Sequence, residues 1–203
     1  MRYFDSLPNT LTIDYSGNAV VVKNILTKAV LPVSVLYNPL VFYRYDVQDH
    51  DTPESIANKY YGDSYRFWLV LLPNQIIDPQ WDWPMSPVLF NDYVNTKYTP
   101  SELTEVHHYE KIITKIDNTT NTTTTETIVI DEDTYNHLTE STSTYTSPPN
   151  SLNTINVTVN ITKNIVDNLH YEMSLNDSKR SIKLINKKYA DQIEKELKTL
   201  MGT

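Results

Sequence analysis

Apolar and polar positions alternate most regularly late in the chain. Between Leu152 and Ile165, Ile155, Val157, Val159 and Ile161 alternate with Asn156, Thr158, Asn160 and Thr162. That period of two predicts a strand with one apolar and one polar face. Ser181 to Ile185 reads as a further strand. From about Lys188 to Met201 the period becomes helical, with Tyr189, Ile193, Leu197 and Leu200 at i, i+4, i+8 and i+11. Asp191–Lys195 and Glu194–Lys198 are favourable i,i+4 pairs there, and Gly202 is the expected cap.

Residues 45–100 carry the densest local signals. Tyr45-Asp46-Val47 predicts a short strand, followed by an acidic turn at Asp49-His50-Asp51. Thr52 is a good N-cap, Pro53 suits the first helical position, and Glu54 suits the positive end of the helix dipole. The helix Ser55–Tyr61 sets Ile56, Ala57, Tyr60 and Tyr61 on one face and stops at Gly62. A second helix, Ser64–Leu72, is almost wholly apolar through Phe67, Trp68, Val70, Leu71 and Leu72, which predicts cover on several sides. It stops at Pro73-Asn74, and Val88-Leu89-Phe90 is the expected return strand.

The flanks are less regular. Residues 1–44 form an arm with little patterning, in which Asn24 to Leu31 reads as a short helix or strand. Such an arm is expected to lie along the following module or along a neighbouring subunit. Glu110–Ile116 and Thr127–Ile130 read as strands around a Thr/Asn-rich stretch, Asn118–Thr127; a long hairpin with a polar tip is one reading, and extended chain through the β-branched Thr stretch is the other, so the sequence places no turn. Thr142–Asn150, with Pro148-Pro149, reads as a linker. The expected fold class is α+β: an N-terminal arm at 1–44, a β-α-α-β module at 45–100, and a β-rich region at 101–203 ending in a helix.

Composition narrows the function classes. Hydrophobic content of 39%, charged content of 21% and a mean hydropathy of −0.44 fit a globular chain rich in Thr and Asn. A net charge of −8 argues against nucleic acid, whose phosphates require clustered Lys and Arg. No run reaches the ~20 apolar residues a membrane span needs, and MRYFDSLPNTLTIDYSG lacks the apolar centre of a signal peptide. The chain has no cysteine, which excludes disulfides and thiolate chemistry. Fifteen Tyr and three Trp stand against only three Gly, a composition that serves either cores or protein interfaces.

Candidate chemistry is sparse. Asp46, Asp49, His50 and Asp51 lack the spacing of a calcium loop and read as a solvated turn and helix cap. His107 and His108 precede Glu110, but strand alternation sends the two imidazoles to opposite faces, so no metal site is expected. No Ser lies in a nucleophile elbow, and three glycines leave no phosphate-cradling loop. The reading is therefore no enzyme and no cofactor. Trp68, Trp81 and Trp83, with Tyr60 and Tyr61, are the candidate interface or core anchors. Stacking of sugars on Trp81 and Trp83 is the alternative use of those indoles.

The order strand, helix, helix, strand, with Asp51-Thr52 before the first helix and Asn74 after the second, resembles the LysM fold. The longer motifs FYRYDVQDHDTPESIANKYYGD, FWLVLLPNQIIDPQWDWP and SKRSIKLINKKYADQIEKEL resemble the LysM-like baseplate wedge subunit of contractile-tailed, T4-like bacteriophages. That resemblance implies a virion component made in the host cytoplasm. It would pack against other wedge proteins and neighbouring copies in a six-fold assembly around the hub, with no nucleic acid, membrane or small-molecule substrate. His50 stands where glycan-binding LysM modules have Gly, and a Trp-rich loop lengthens the segment after Asn74. The alternative implied by LysM likeness is a peptidoglycan-binding module of a cell-wall-associated or lytic protein.

Overall fold

The computed structural model describes residues 3–27, 29–147 and 155–201. Its elements make an α+β protein, as the sequence predicts. A 3-10 turn at Tyr3–Ser6 leads into the hairpin β1 (Asn9–Ile13) and β2 (Ala19–Lys23), then the short helix α1 (Val33–Leu36). Strand β3 (Phe42–Asp46) precedes α2 (Pro53–Tyr61), α3 (Trp68–Leu71), α4 (Pro79–Asp82) and α5 (Pro87–Lys97). Next come β4 (Val106–Asp117), β5 (Thr122–Ile130), α6 (Glu132–His137), β6 (Ser141–Ser147) and β7 (Ile155–Asp167). Helix α7 (Asn168–Ser178), strand β8 (Ser181–Ile185) and helix α8 (Lys187–Met201) follow. The chain divides into two compact units, residues 1–89 with 176–203, and residues 90–175.

In the first unit, α2 begins and ends as its sequence dictates. The Thr52 hydroxyl accepts from the Ser55 amide at 3.1 Å, the Ser55 hydroxyl accepts from the Thr52 amide at 2.8 Å, and Gly62 closes the helix at φ 78°. The second helix is broken where one run was expected: 3-10 turns at Ser64–Arg66 and Leu72–Asn74 flank the single α-turn of α3. Pro73 has no N–H to continue the α-ladder, so the chain tightens and turns out at Gln75, φ 56°.

The return strand expected at Val88-Leu89-Phe90 is absent; those residues lie inside α5. A three-residue apolar run fits helix and strand equally, and here Pro87 opens a helix. The strand that pairs with β3 is β8, antiparallel from Phe42↔Ile185 to Asp46↔Ser181. Against this pair the core gathers Ile56, Ala57 and Tyr61 from α2, Trp68 to Val70 from α3, and Ala190, Leu197 and Met201 from α8. The core-facing line of α8 runs through Ala190, Leu197 and Met201 rather than the expected stripe. Tyr189 and Ile193 pack at its margin, and Leu200 is 82% exposed. Gly202 lies outside the described residues.

Two side chains complete the backbone hydrogen bonding of β8. The buried Tyr61 hydroxyl donates to the Ile185 carbonyl at 2.9 Å, and burial pushes the phenol well above its ordinary pKa, so it stays a donor. The Asn74 amide accepts from Lys183 N at 2.7 Å and donates to Lys183 O at 2.8 Å and to Val70 O at 2.7 Å. It occupies the outer edge of β8 as a third strand would.

The arm is more regular than its sequence indicates. β1 and β2 pair from Asn9↔Lys23 to Ile13↔Ala19, around a turn where the Asp14 carboxylate accepts from the Ser16 and Asn18 amides and Gly17 adopts φ 82°. Residues 24–31, expected as helix or strand, are neither among those described.

The second unit is built on a four-stranded antiparallel sheet ordered β5-β4-β7-β6. The expected hairpin is present, with its turn at residues 118–121 and Asn121 at φ 55°; Thr122–Thr127 are already paired in β5. The expected linker is instead strand β6, paired along β7 from Ser141↔Ile161 to Ser147↔Ile155. Alternating Ser and Thr carry no apolar face to announce a strand, yet β-branched Thr fits one when a partner edge is available. Residues 148–150 of that expected linker, and 152–154 of the expected late strand, lie outside the described residues.

Replacing Asn74 by Ala strands both backbone groups of Lys183 at once. Both bonds are exposed, so water takes over part of their role, and the expected loss is about 1 kcal/mol of stability, the net worth of an ordinary intramolecular hydrogen bond. Equilibrium urea unfolding measures it, and an unchanged midpoint would show that solvent replaces the amide at no cost.

Candidate assembly surfaces

The five anchor residues separate into core and surface. Trp68 is buried, its ring centroid 5.7 Å from that of Tyr3. Trp83 is buried too, and its indole N–H donates to the Asp51 carbonyl at 3.1 Å, fastening the Trp-rich loop to the start of α2. Tyr61 is core, and half-buried Tyr60 packs edge-on against it at 4.9 Å. Only Trp81 is surface, 51% exposed. Its loop is nonetheless fixed: Asp82 accepts from the Ile77 and Asp78 amides at 3.0 Å each, and those bonds hold its carboxyl below the usual carboxylate range. Lys179 donates to the Trp81 carbonyl at 2.7 Å.

The acidic turn serves the fold. Asp51 accepts from the Tyr45 hydroxyl at 2.6 Å and the Gln48 amide at 3.0 Å, and Asp49 pairs with Arg180 at 2.9 Å. His50 points to solvent without joining them.

The histidine pair departs from expectation. A register shift between Val106 and His108 interrupts the alternation of β4, so the two rings meet, Nδ1 to Nδ1 at 2.7 Å, instead of parting to opposite faces. His107 stacks on Tyr171 at 3.7 Å, and His108 Nε2 lies 3.3 Å from Glu110 Oε1. The Asn164 amide takes the other Glu110 oxygen at 3.2 Å. Among the described residues no group of three or more His, Asp or Glu could hold a metal ion.

Sequence reasoning missed the buried carboxylate of Glu172. It accepts from Lys97 Nζ at 2.6 Å, the Tyr98 hydroxyl at 2.9 Å and the Tyr93 hydroxyl at 3.3 Å. Burial pushes this carboxyl up, but the Lys97 ammonium and the two phenols outweigh it and hold it below the ordinary Glu value. The i,i+4 spacing of Tyr93 and Lys97 was visible in the sequence; Glu172, 75 residues from Lys97, was not. The cluster links α5 to α7.

The most exposed apolar material lies in the arm. Leu11 faces Val21 across β1 and β2 with both side chains open to solvent, and Ile13 follows on the same face. Further along, Leu26 is 89% and Tyr37 81% exposed, with Val33 and Leu40 similarly open. Beside them Ala29–Leu31, Leu36, Leu72 and Gln75–Ile77 line an apolar groove of about 240 Å³. A two-stranded ribbon is marginal in water without a covering layer, and apolar patches of this extent mark surfaces that meet another protein.

A family model for base plate wedge protein 53 matches residues 9–202. The chain belongs to that family. It is a structural protein of the phage tail baseplate, and its place is the virion tail. No curated protein sequence matches the chain. The family match runs through both compact units and includes the exposed hairpin. No helix among the described residues is long and apolar enough to cross a membrane.

The Glu172 cluster makes a pH prediction. A carboxyl depressed in the folded state stabilises fully above its unfolded value, ~4.3, and that contribution is lost as pH falls through the lower folded value. Glu172→Gln should therefore flatten the acid limb of unfolding of the second unit. Lys97→Met should cost about 2–3 kcal/mol near neutral pH by leaving a buried carboxylate without its cation. Urea midpoints at neutral and acid pH measure both, and identical pH profiles for Glu172→Gln and the wild type would refute the linkage.

Proposed function

We propose that this baseplate protein joins neighbouring wedge subunits while the baseplate assembles around the hub, working as a scaffold and not as an enzyme. Its partners are other wedge proteins and neighbouring copies in a six-fold ring. The observation that carries this reading is the exposed apolar surface of the arm, from Leu11 to Leu40, on a chain whose first unit already has a closed core. Water-facing Leu, Ile and Val at that density reduce the free energy only when another protein covers them.

We further propose that β3, α2, α3 and β8 form a LysM-like β-α-α-β module whose last strand arrives after an insertion at 90–175. Support comes from the antiparallel β3–β8 pairing and from the two helices packed against it. In this protein the module serves protein contact. Trp83, which a glycan platform would need beside Trp81, is buried and committed to Asp51.

Leu26→Glu and Leu40→Glu test the reading. Both side chains are exposed, so the purified variants should melt within about 1 °C of wild type, as surface substitutions do. In complementation of a phage lacking the gene, the variants should fail to enter baseplates and lower the yield of tailed particles. Normal incorporation of both variants would overturn the proposal. Retention of the wild type on purified peptidoglycan, lost on Trp81→Ala, would favour wall binding instead.

A further inference from the structure

Strands β5 and β6 are the outer strands of the four-stranded sheet, so each leaves a row of backbone groups without a partner strand. Native proteins guard such rows with lysine, proline, a bulge or a covering element. Strand β6 reads Ser-Thr-Ser-Thr-Tyr-Thr-Ser, with no charge and no proline, and its register against β7 runs without a shift. Residues 141–146 are exposed. Among the described residues, the strand carries none of these guards.

Which of its groups face outward follows from the ladder. Asn118 N donates to Asn156 O, so even-numbered residues of β7 direct their backbone groups towards β4 and odd-numbered residues towards β6. The Lys163 amide, which donates to the Glu140 carboxylate next to β6, agrees. The β6 partners of Ile161, Val159 and Val157 are Ser141, Ser143 and Tyr145, which therefore bond inward. Thr142, Thr144 and Thr146 present their N–H and C=O groups outward.

We propose that this edge pairs with the same edge of a second copy, antiparallel, about a two-fold axis at Thr144. Thr144 then meets its twin and Thr142 meets Thr146 of the other copy. Outward groups face outward groups in three mutually bonded pairs, about six N–H···O bonds in all. The side chains agree with the backbone. Thr142 lies opposite Thr146 and Ser143 opposite Tyr145, pairs of the hydroxyl and aromatic kinds that stabilise antiparallel strands. In a chain of net charge −8, this neutral stretch lets two copies approach without like charges facing. Strand β5 offers a poorer match. Its outward residues are odd-numbered, and the best symmetric pairing, about Thr125, leaves Glu126 diagonal to its twin. The contact is isologous and joins two sheets into one. A two-fold contact does not relate neighbours in a six-fold ring, so it belongs to the free protein before assembly. It depends only on the sheet, so its failure would leave the baseplate role untouched.

Sedimentation velocity on the full chain, from about 1 µM to about 100 µM, should show a reversible monomer–dimer equilibrium. Thr144→Lys and Thr144→Pro remove no backbone bond to β7, only the exposed 3.3 Å hydroxyl contact with Thr158, so both should keep the circular dichroism of the wild type while weakening association about tenfold or more. Thr125→Lys on β5 should leave association unchanged. Because the chain has no cysteine, Thr144→Cys sets one thiol opposite its twin at a Cα separation of about 5.5 Å, within disulfide reach. Mild oxidation should then give a covalent dimer from Thr144→Cys and not from Thr125→Cys. A wild type monomeric throughout the range, a dimer indifferent to Thr144→Lys, or equal cross-linking of both cysteine variants would overturn the proposal.

Discussion

The pairing of β3 with β8 is the constraint on which the first unit depends. Nearly every buried side chain in that unit packs on this two-stranded ribbon or on the helices that cover it. The ribbon is built from segments far apart in the chain: the Tyr61–Ile185 bond spans 124 residues and the Asn74–Lys183 bonds span 109. Closing so long a loop carries an entropic cost that grows only slowly with its length, so an inserted unit is tolerated. The same separation makes the ladder a non-local contact, of the kind that slows folding. Asn74 and Tyr61 matter because two strands alone are marginal, and these side chains supply edge bonds that further strands would otherwise supply.

The second unit is held by a different balance. Among its described residues, Val94 and Val166 are the buried apolar side chains, while strands β4 and β5 are half-buried or exposed. A sheet so thinly covered relies on its ladder bonds, on the Glu172–Lys97–Tyr98 cluster between α5 and α7, and on surfaces that another protein can cover. Hydroxyl-rich strands suit that condition. Threonine favours extended backbone and presents no apolar face that would collapse or aggregate before partners arrive.

Charge and apolar surface act together. An acidic chain repels its own copies at long range, which keeps exposed Leu, Ile and Val from associating indiscriminately. The contacts proposed here are restricted to places where apolar area or unpaired backbone outweighs that repulsion: the arm around β1, β2 and α1, and the neutral edge of the sheet. Trp81 is a smaller instance, an exposed indole on a loop whose backbone is fixed by Asp82 and Lys179.

Local chemistry determined much of this protein directly. Thr52, Pro53 and Gly62 set the ends of α2, the alternation from Ile155 to Ile161 produced β7, and Ser181–Ile185 and Lys187–Met201 emerged close to where they were read. These features need only neighbouring residues, so the sequence carries them in full. Its longer motifs also carried the wedge family. Tertiary structure alone decided which strand returns to β3, which face of α8 turns inward, that Ser141–Ser147 is a strand, and that Glu172 meets Lys97. Each of those depends on a partner outside the local turn, from 8 residues away along β6 to more than 100 for β3, and a short apolar or hydroxyl run is compatible with several partners until packing selects one.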